Sequence, residues 1–253
     1  MPALILFPAG MLLGSFVSVV AHRLPRGESW VVGRSHCPGC GAQIAAYDNV
    51  PVLSYLMLRG RCRNCGERIS ARYPLTELGL GALYVGTFLA LGDGDGAELA
   101  LGLVLCTLLV AITLTDLDRQ VIPNKIVLAG AVAGVAIVAA TDPASLDERA
   151  IAALAAGGFL FVVALLYPRG MGMGDVKLVA MMGIYLGRSI APALLIAFAV
   201  GAVVGMAMIA RNGAEARKRA VPFGPFLALG GVLGLWFGDS MVGWYLDEFM
   251  ASN

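Results

Sequence analysis

Gly170-Met171-Gly172-Met173-Gly174-Asp175-Val176-Lys177 sets an ionisable carboxylate between two apolar segments, in a backbone loosened by three glycines at alternate positions. A second acidic stretch, Thr115-Asp116-Leu117-Asp118-Arg119-Gln120-Val121-Ile122-Pro123-Asn124, closes another apolar segment. Taken singly, Asp116 reads as a helix-end charge and Asp175 as a helix N-cap, where an anion is favoured. Aspartates in or beside membrane spans are costly, however, and tend to mark function. The two stretches together predict that Asp116 and Asp175 meet as a carboxylate pair at one face of a membrane.

The composition supports the membrane. Of 253 residues, 58% are hydrophobic and 14% charged, with a mean hydropathy of +0.80. A soluble chain carries roughly 25% charged residues. Apolar runs recur near the spanning length of about 17–25 residues, which describes a polytopic helical membrane protein. A net charge of +1 gives no reason to expect a nucleic-acid partner; the partner implied is the lipid bilayer.

Working outward from the acidic stretches, spans are expected at about 3–21, 74–91, 99–115, 125–140, 150–167, 176–186, 190–210 and 225–245. The first lacks a basic n-region and a clear small-residue cleavage site, so it reads as a retained span. The sixth has only about eleven residues and is expected to enter at depth or start inside the bundle. With the N-terminus outside, the cytoplasmic loops 22–73, 116–125, 168–177 and 211–223 hold 8, 2, 2 and 4 of the 18 Lys and Arg. Only Arg149 and Arg188 fall elsewhere. That asymmetry favours this orientation and puts Asp116 and Asp175 on the cytoplasmic side. Gly130–Gly134 and Gly201–Gly205 read small-xxx-small, which lets helix backbones approach. No tandem repeat is apparent. Glu77 reads as a helix N-terminal charge, and Gly92-Asp93-Gly94-Asp95-Gly96 as a solvated turn lacking the full pattern of a calcium loop.

The loop at 22–73 is polar, Arg-rich and too small to fold on an apolar core, so a staple is expected. Cys37-Pro38-Gly39-Cys40 and Cys62-Arg63-Asn64-Cys65 supply one: two C-x-x-C knuckles, each followed by glycine (Gly41, Gly66). Four thiolates suit a closed, structural, tetrahedral Zn2+ site with no open position. Disulfides compete with this reading but are disfavoured in the cytoplasm. Cys106, alone in an apolar run, reads as helix packing. The fold class is therefore all-α: about eight transmembrane helices, with a small zinc-binding cytoplasmic insert between helices 1 and 2. The chain divides into a first helix (1–21), a four-cysteine zinc domain (22–73) and a membrane core (74–253).

The chemistry that needs two facing carboxylates is peptide hydrolysis by an activated water. Close like charges share one proton, so one carboxylate takes a proton from water while the other, protonated, polarises the carbonyl. Gly172 and Gly174 then form a substrate loop, since no Cβ blocks an approaching peptide backbone. Asp118 rivals Asp116: two residues turn about 200° on a helix, so both cannot face one partner, and spacing alone does not choose. A proton-coupled transporter using the two aspartates as a relay is the alternative from another class.

Gly172-Met173-Gly174-Asp175 matches the GxGD signature of membrane aspartyl proteases, and Gly170–Leu178 with Asp116 seven residues before Pro123 resembles the bacterial type IV prepilin peptidases. Gly14-Ser15-Phe16, Arg23-Leu24-Pro25, the double knuckle, Tyr47-Asp48-Asn49-Val50-Pro51, Arg72-Tyr73-Pro74 and Pro222-Phe223-Gly224-Pro225 resemble the same family. The resemblance implies an aspartyl peptidase that removes the short basic leader of prepilins and pseudopilins at the cytoplasmic face of the bacterial inner membrane. The pilus or type II secretion machinery would be its setting. It selects Asp116 over Asp118 as the partner of Asp175. It also implies N-methylation of the new terminus with S-adenosylmethionine, associated in the family with the N-terminal region, although no glycine-rich dinucleotide-type loop is present there. Glu28, Asp48 and Glu67 are candidates to attract a basic leader, or are simply solvated charges.

Overall fold

The structure is a computed structural model that describes residues 2–29, 33–92, 96–167, 171–212 and 221–249. Pro168, Gly170, the central residues of the Gly92–Gly96 turn and the basic cluster Arg217–Arg219 lie outside the described residues. The described chain is almost wholly helical: α1 (Pro2–Arg23), α2 (Leu53–Met57), α3 (Arg72–Leu91), α4 (Gly96–Arg119), α5 (Asn124–Thr141), α6 (Leu146–Leu166), α7 (Met173–Leu186), α8 (Ile190–Asn212) and α9 (Gly224–Phe249). Seven described stretches are long and apolar enough to cross a membrane. One of them, Met173–Arg211, runs to 39 residues and holds both α7 and α8, joined by a tight turn at Gly187–Ser189. This is a multi-pass membrane protein, with α7 as the short segment among eight apolar helices.

The chain forms two compact units, Met1–Leu89 and Ala90–Asn253. In the first, α1 and α3 lie antiparallel with their backbones touching. A Cβ on Gly10 would come within 2.8 Å of the Gly81 Cα, and one on Gly14 within 2.8 Å of the Glu77 Cα. In lipid no hydrophobic gain drives helices together, so such close dispersion contacts carry the association. Glu77, expected from sequence as a helix N-terminal charge, lies in the second turn of α3. It is buried in α3, and its Oε2 accepts the Val52 N–H at 2.8 Å, tying the segment that precedes α2 onto α3.

The second unit is built around α7, which touches α4, α5, α6 and α9. Gly183 lies against the Ala153 backbone, Gly231 receives Met182 and Leu109, and Gly230 sits on the Ala193 carbonyl. The packing pairs show successive helices alternating in direction. Backbone approach is therefore made at Gly183 and Gly230. At the Gly130 and Gly134 steps, expected to bring backbones together, the glycines instead receive the side chains of Met181 and Tyr185, and Gly201 faces the Phe223 and Phe226 rings. Nothing lies within 4 Å of a Cβ at Gly205.

α7 has 14 residues, about 21 Å at 1.5 Å per residue, against a hydrocarbon thickness of about 30 Å. A short helix strands its terminal carbonyls at a depth where lipid offers them nothing. Here protein supplies the partner: Arg149 Nη1 donates to the carbonyls of Ile184 at 3.1 Å and Tyr185 at 2.7 Å. The Tyr185 hydroxyl donates in turn to the buried Gly130 carbonyl at 2.7 Å, fixing α7 to α5. Replacing Arg149 by Met should leave two carbonyls unanswered, at about 1–3 kcal/mol each. We expect a markedly lower thermal midpoint in detergent, with Arg149→Lys only partly restoring it because an ammonium lacks the fork geometry.

Candidate active site and metal centre

Asp116 occupies the last turn of α4 and is 5% exposed; Asp175 occupies the first turn of α7 and is 8% exposed. Asp175 is thus inside the helix, not in the loop before it. Its Oδ2 accepts the Gly172 N–H at 3.1 Å, while its own N–H donates to the Gly172 carbonyl at 3.1 Å. This reciprocal arrangement follows the logic of a capping box. Asp116 Oδ2 accepts the Gly224 N–H at 2.8 Å. Gly224 opens α9, so each carboxyl group is gripped by a backbone amide at a helix start, where unpaired N–H groups and the helix dipole favour an anion.

The two aspartates line one open cleft of about 230 Å³, with Gln120, Val121, Ile122, Asn124, Gly172 and Gly174. Asp118 is exposed and does not line it, which fits the opposite phase of a residue two positions on. The close approach that Gly174 makes within the chain is to Ile122: a Cβ there would lie 3.0 Å from the Ile122 Cβ. Lys177, just past Asp175, donates to Asn124 Oδ1 at 3.1 Å and joins α7 to the start of α5 at the cleft rim. Sequence reasoning assigned no role to Gly224 itself. A Cβ there would lie 2.6 Å from Asp116 Oδ2 and 3.1 Å from its Cβ, so only glycine lets the amide and carboxylate meet as they do. The available signal was a glycine between two prolines at the start of an apolar run.

In the first unit the four cysteines converge: the Sγ atoms of Cys37, Cys40, Cys62 and Cys65 all lie within 4.8 Å of one another. Cys37 and Cys65 sulfurs are 3.7 Å apart, as expected for two thiolates at about 2.3 Å from a shared tetrahedral ion. The knuckles are near-copies. Cys37 N–H bonds the Ala42 carbonyl as Cys62 N–H bonds that of Glu67, and Gly41 bonds Cys37 as Gly66 bonds Cys62. The bridges His36–Gln43 and Arg61–Arg68 complete the match. This short internal repeat escaped the sequence reading because beyond Cys, Gly and a closing Ile (Ile44, Ile69) its residues differ. Backbone N–H groups of Cys65 and Asn64 hold the Cys62 thiol down at about 7. The Cys65 thiol, though its backbone contact at Glu67 favours the thiolate, is pushed up to about 12 by burial and the neighbouring thiols. Four sulfurs this close ionise together only around a cation, so the donor set fits a metal ion.

Two of the acidic candidates of this unit, Asp48 and Glu67, have local partners. Asp48 makes a two-pronged pair with Arg63 at 2.7 and 2.9 Å, and that guanidinium holds its carboxyl below the ordinary range. Glu67 lies over Gly39, with an oxygen 3.8 Å from Cys37 Sγ.

Residues 9–91 match the model of the bacterial peptidase A24 N-terminal domain, and residues 103–206 that of the type IV leader peptidase family. The chain is 37% identical over 278 residues to a prepilin leader peptidase/N-methyltransferase of Aeromonas hydrophila, covering 97% of this chain and 94% of the relative. It is 38% identical to one from Burkholderia pseudomallei over 90% of this chain and 83% of that protein. A third, from Bacillus subtilis, is 35% identical over 96% and 97%. The chain belongs to the type IV leader peptidase family. No solved structure matches it. Within the family's N-terminal domain, the paired knuckles predict a stoichiometric metal. Protein purified without chelator should carry about one zinc per chain by elemental analysis, and the Cys37→Ser/Cys62→Ser double variant should lose it; unchanged zinc would exclude the four-thiolate site.

Proposed function

We propose that this protein is a membrane aspartyl endopeptidase that removes the basic leader of prepilins and pseudopilins, with Asp116 and Asp175 as its catalytic pair. The observation that carries this reading is the convergence of both buried carboxyl groups, from α4 and α7, on one open cleft. Held by the amides of Gly224 and Gly172, each keeps one oxygen engaged and has the other to offer. One member, ionised, withdraws a proton from a water in the cleft as that water attacks the scissile carbonyl. The other, protonated, donates to the carbonyl oxygen as negative charge develops there. The departing amine then takes a proton, and the pair returns to its starting state.

Charge distribution supports placing the cleft at the cytoplasmic face of the inner membrane. Arg119, Lys125 and Lys177 lie at the cleft end of the second unit, whereas Asp142, Asp147, Glu148 and Asp239 lie toward its opposite end. A substrate with a basic leader before an apolar helix suits this boundary, since the helix stays in lipid while the bond to be cut meets water. Cys37, Cys40, Cys62 and Cys65 would hold a structural Zn2+, whose contribution is to fold an insert that has little core of its own. The relatives' names pair the peptidase with an N-methyltransferase. S-adenosylmethionine is the corresponding donor, and no residue is assigned to that step. No observation favours the proton-relay transporter.

The test is cleavage of a purified prepilin by the full chain in detergent. Asp116→Asn and Asp175→Asn should each slow leader removal by about 10²- to 10⁴-fold with an unchanged thermal midpoint, and wild-type cleavage by either would overturn the pair. Gly224→Val should also cost activity, because its side chain would displace the Asp116 carboxylate; retained activity would remove the α9 amide from the site.

A further inference from the structure

α2 is turned inside out for an element surrounded by water. Ser54 is buried at 6% exposure, and its hydroxyl donates to the Tyr47 carbonyl at 2.9 Å. Leu53, Leu56 and Met57 stand outward at 55%, 64% and 73%. A single exposed leucine is ordinary on a soluble surface, but an apolar face rimmed by polar residues marks a surface that meets something else.

The place of α2 says what that is. The Val52 N–H, just before the helix, reaches Glu77 Oε2 at 2.8 Å. Val52 adopts φ +59° there, a backbone that a β-branched residue rarely takes. Glu77 is five residues past Arg72, where the membrane helix α3 begins. Side chains lean back toward a helix start, so the entry to α2 is held about one turn, roughly 5 Å, inward of the start of α3. α3 has 20 residues, about 30 Å of axis, which matches the hydrocarbon thickness. Its start therefore marks the boundary with water. α2 begins inside that boundary, at the depth of about 5–10 Å where interfacial helices lay their apolar faces.

The chain leaving α2 adds charge at the same level. Arg59 is exposed just past the helix, and the exposed Arg61 and Arg68 oppose each other across an antiparallel bridge. Like charges directly opposite on paired strands repel. The knuckle does not require them, since the matching bridge of the first knuckle pairs His36 with Gln43. Arg63, between them in sequence, is taken by Asp48. An anion between the Arg61 and Arg68 guanidinium groups removes the repulsion, and arginine matches phosphate oxygens in two-pronged geometry. We propose that α2 is an interfacial anchor: Leu53, Leu56 and Met57 enter the acyl boundary of an anionic leaflet, while Arg59, Arg61 and Arg68 hold the phosphates of its headgroups.

The full chain, reconstituted in vesicles of phosphatidylcholine and phosphatidylglycerol, tests this with Leu56→Trp and, as a second reporter on the same face, Met57→Trp. Both positions are open, so neither substitution displaces packed neighbours. The emission that each adds to that of the wild type is read with bromine on the acyl chains of one lipid or the other. Brominated lipid should quench it, and bromine on phosphatidylglycerol should quench more than the same mole fraction on phosphatidylcholine. Arg61→Gln/Arg68→Gln should cut that local excess of anionic lipid by about fivefold for each arginine. Emission quenched by aqueous iodide but not by brominated lipid overturns the proposal. So does emission shielded from both, which places the face against protein. Shielding that develops only with a purified prepilin overturns it in favour of a peptide-binding face, and equal quenching by the two lipids overturns the assignment to an anionic surface.

Discussion

A carboxyl group buried at the end of an apolar helix persists only if a polar atom answers it, and in this protein the answer comes both times from a helix start, that of its own helix for Asp175 and that of α9 for Asp116. The Gly172 amide holds Asp175 and the Gly224 amide holds Asp116. Much of the second unit's architecture serves those two bonds. α9 must run back along α4 so that its first residue reaches the α4 terminus, and the contact of Gly231 with Leu109 records that alignment. α7 must sit in the middle, where its own first turn meets the same point. The site is thus a consequence of where helices begin and end, and the side chains along their middles matter chiefly for setting those ends at the right height.

The opposite end of α7 obeys the same rule with the signs reversed. Its exposed carbonyls attract a cation, and Arg149 supplies one from α6. Arg188 has a comparable local reason for its position, since it pairs with Asp239 at 3.1 Å. These are the two basic residues that break the charge asymmetry of the loops. Each has a partner within the helical unit: Arg149 answers the α7 carbonyls and Arg188 the Asp239 carboxylate.

What could be read from sequence was whatever is local. Apolar runs, the C-x-x-C pairs and the two acidic stretches are each contained in a few consecutive residues, and they sufficed for the helical membrane fold, the converging cysteines and the candidate carboxylates. What escaped was either distant or conformational. The choice between Asp116 and Asp118, which only the family resemblance made, is a matter of helical phase against a partner that spacing does not place. The Gly224 amide lies 108 positions from the carboxylate it grips, and nothing in the composition of Pro222–Pro225 says which side chain it meets. The burial of Glu77 depends on a turn at Val52 that no propensity would suggest, because a β-branched residue rarely takes φ +59°. The second knuckle repeats the first in hydrogen bonds more than in letters.

Hydrolysis within a membrane protein adds a constraint that favours helix ends as the place for chemistry. The reaction needs water, and it needs backbone amides free to hold charge. Along the middle of a helix every N–H is already committed to a carbonyl four residues back, and lipid excludes water from the outer face. At a helix start the first N–H groups are uncommitted, and at a helix end the chain leaves the regular ladder. A cleft assembled from the end of α4, the starts of α7 and α9 and the extended link before α5 gathers all of these in one place. The shortness of α7 then acquires a reason. A full-length central helix would carry its first turn out to the level of its neighbours' ends or beyond. One of 14 residues, capped at its far end by Arg149, lets Asp175 begin its helix inside the bundle while remaining at the edge of water.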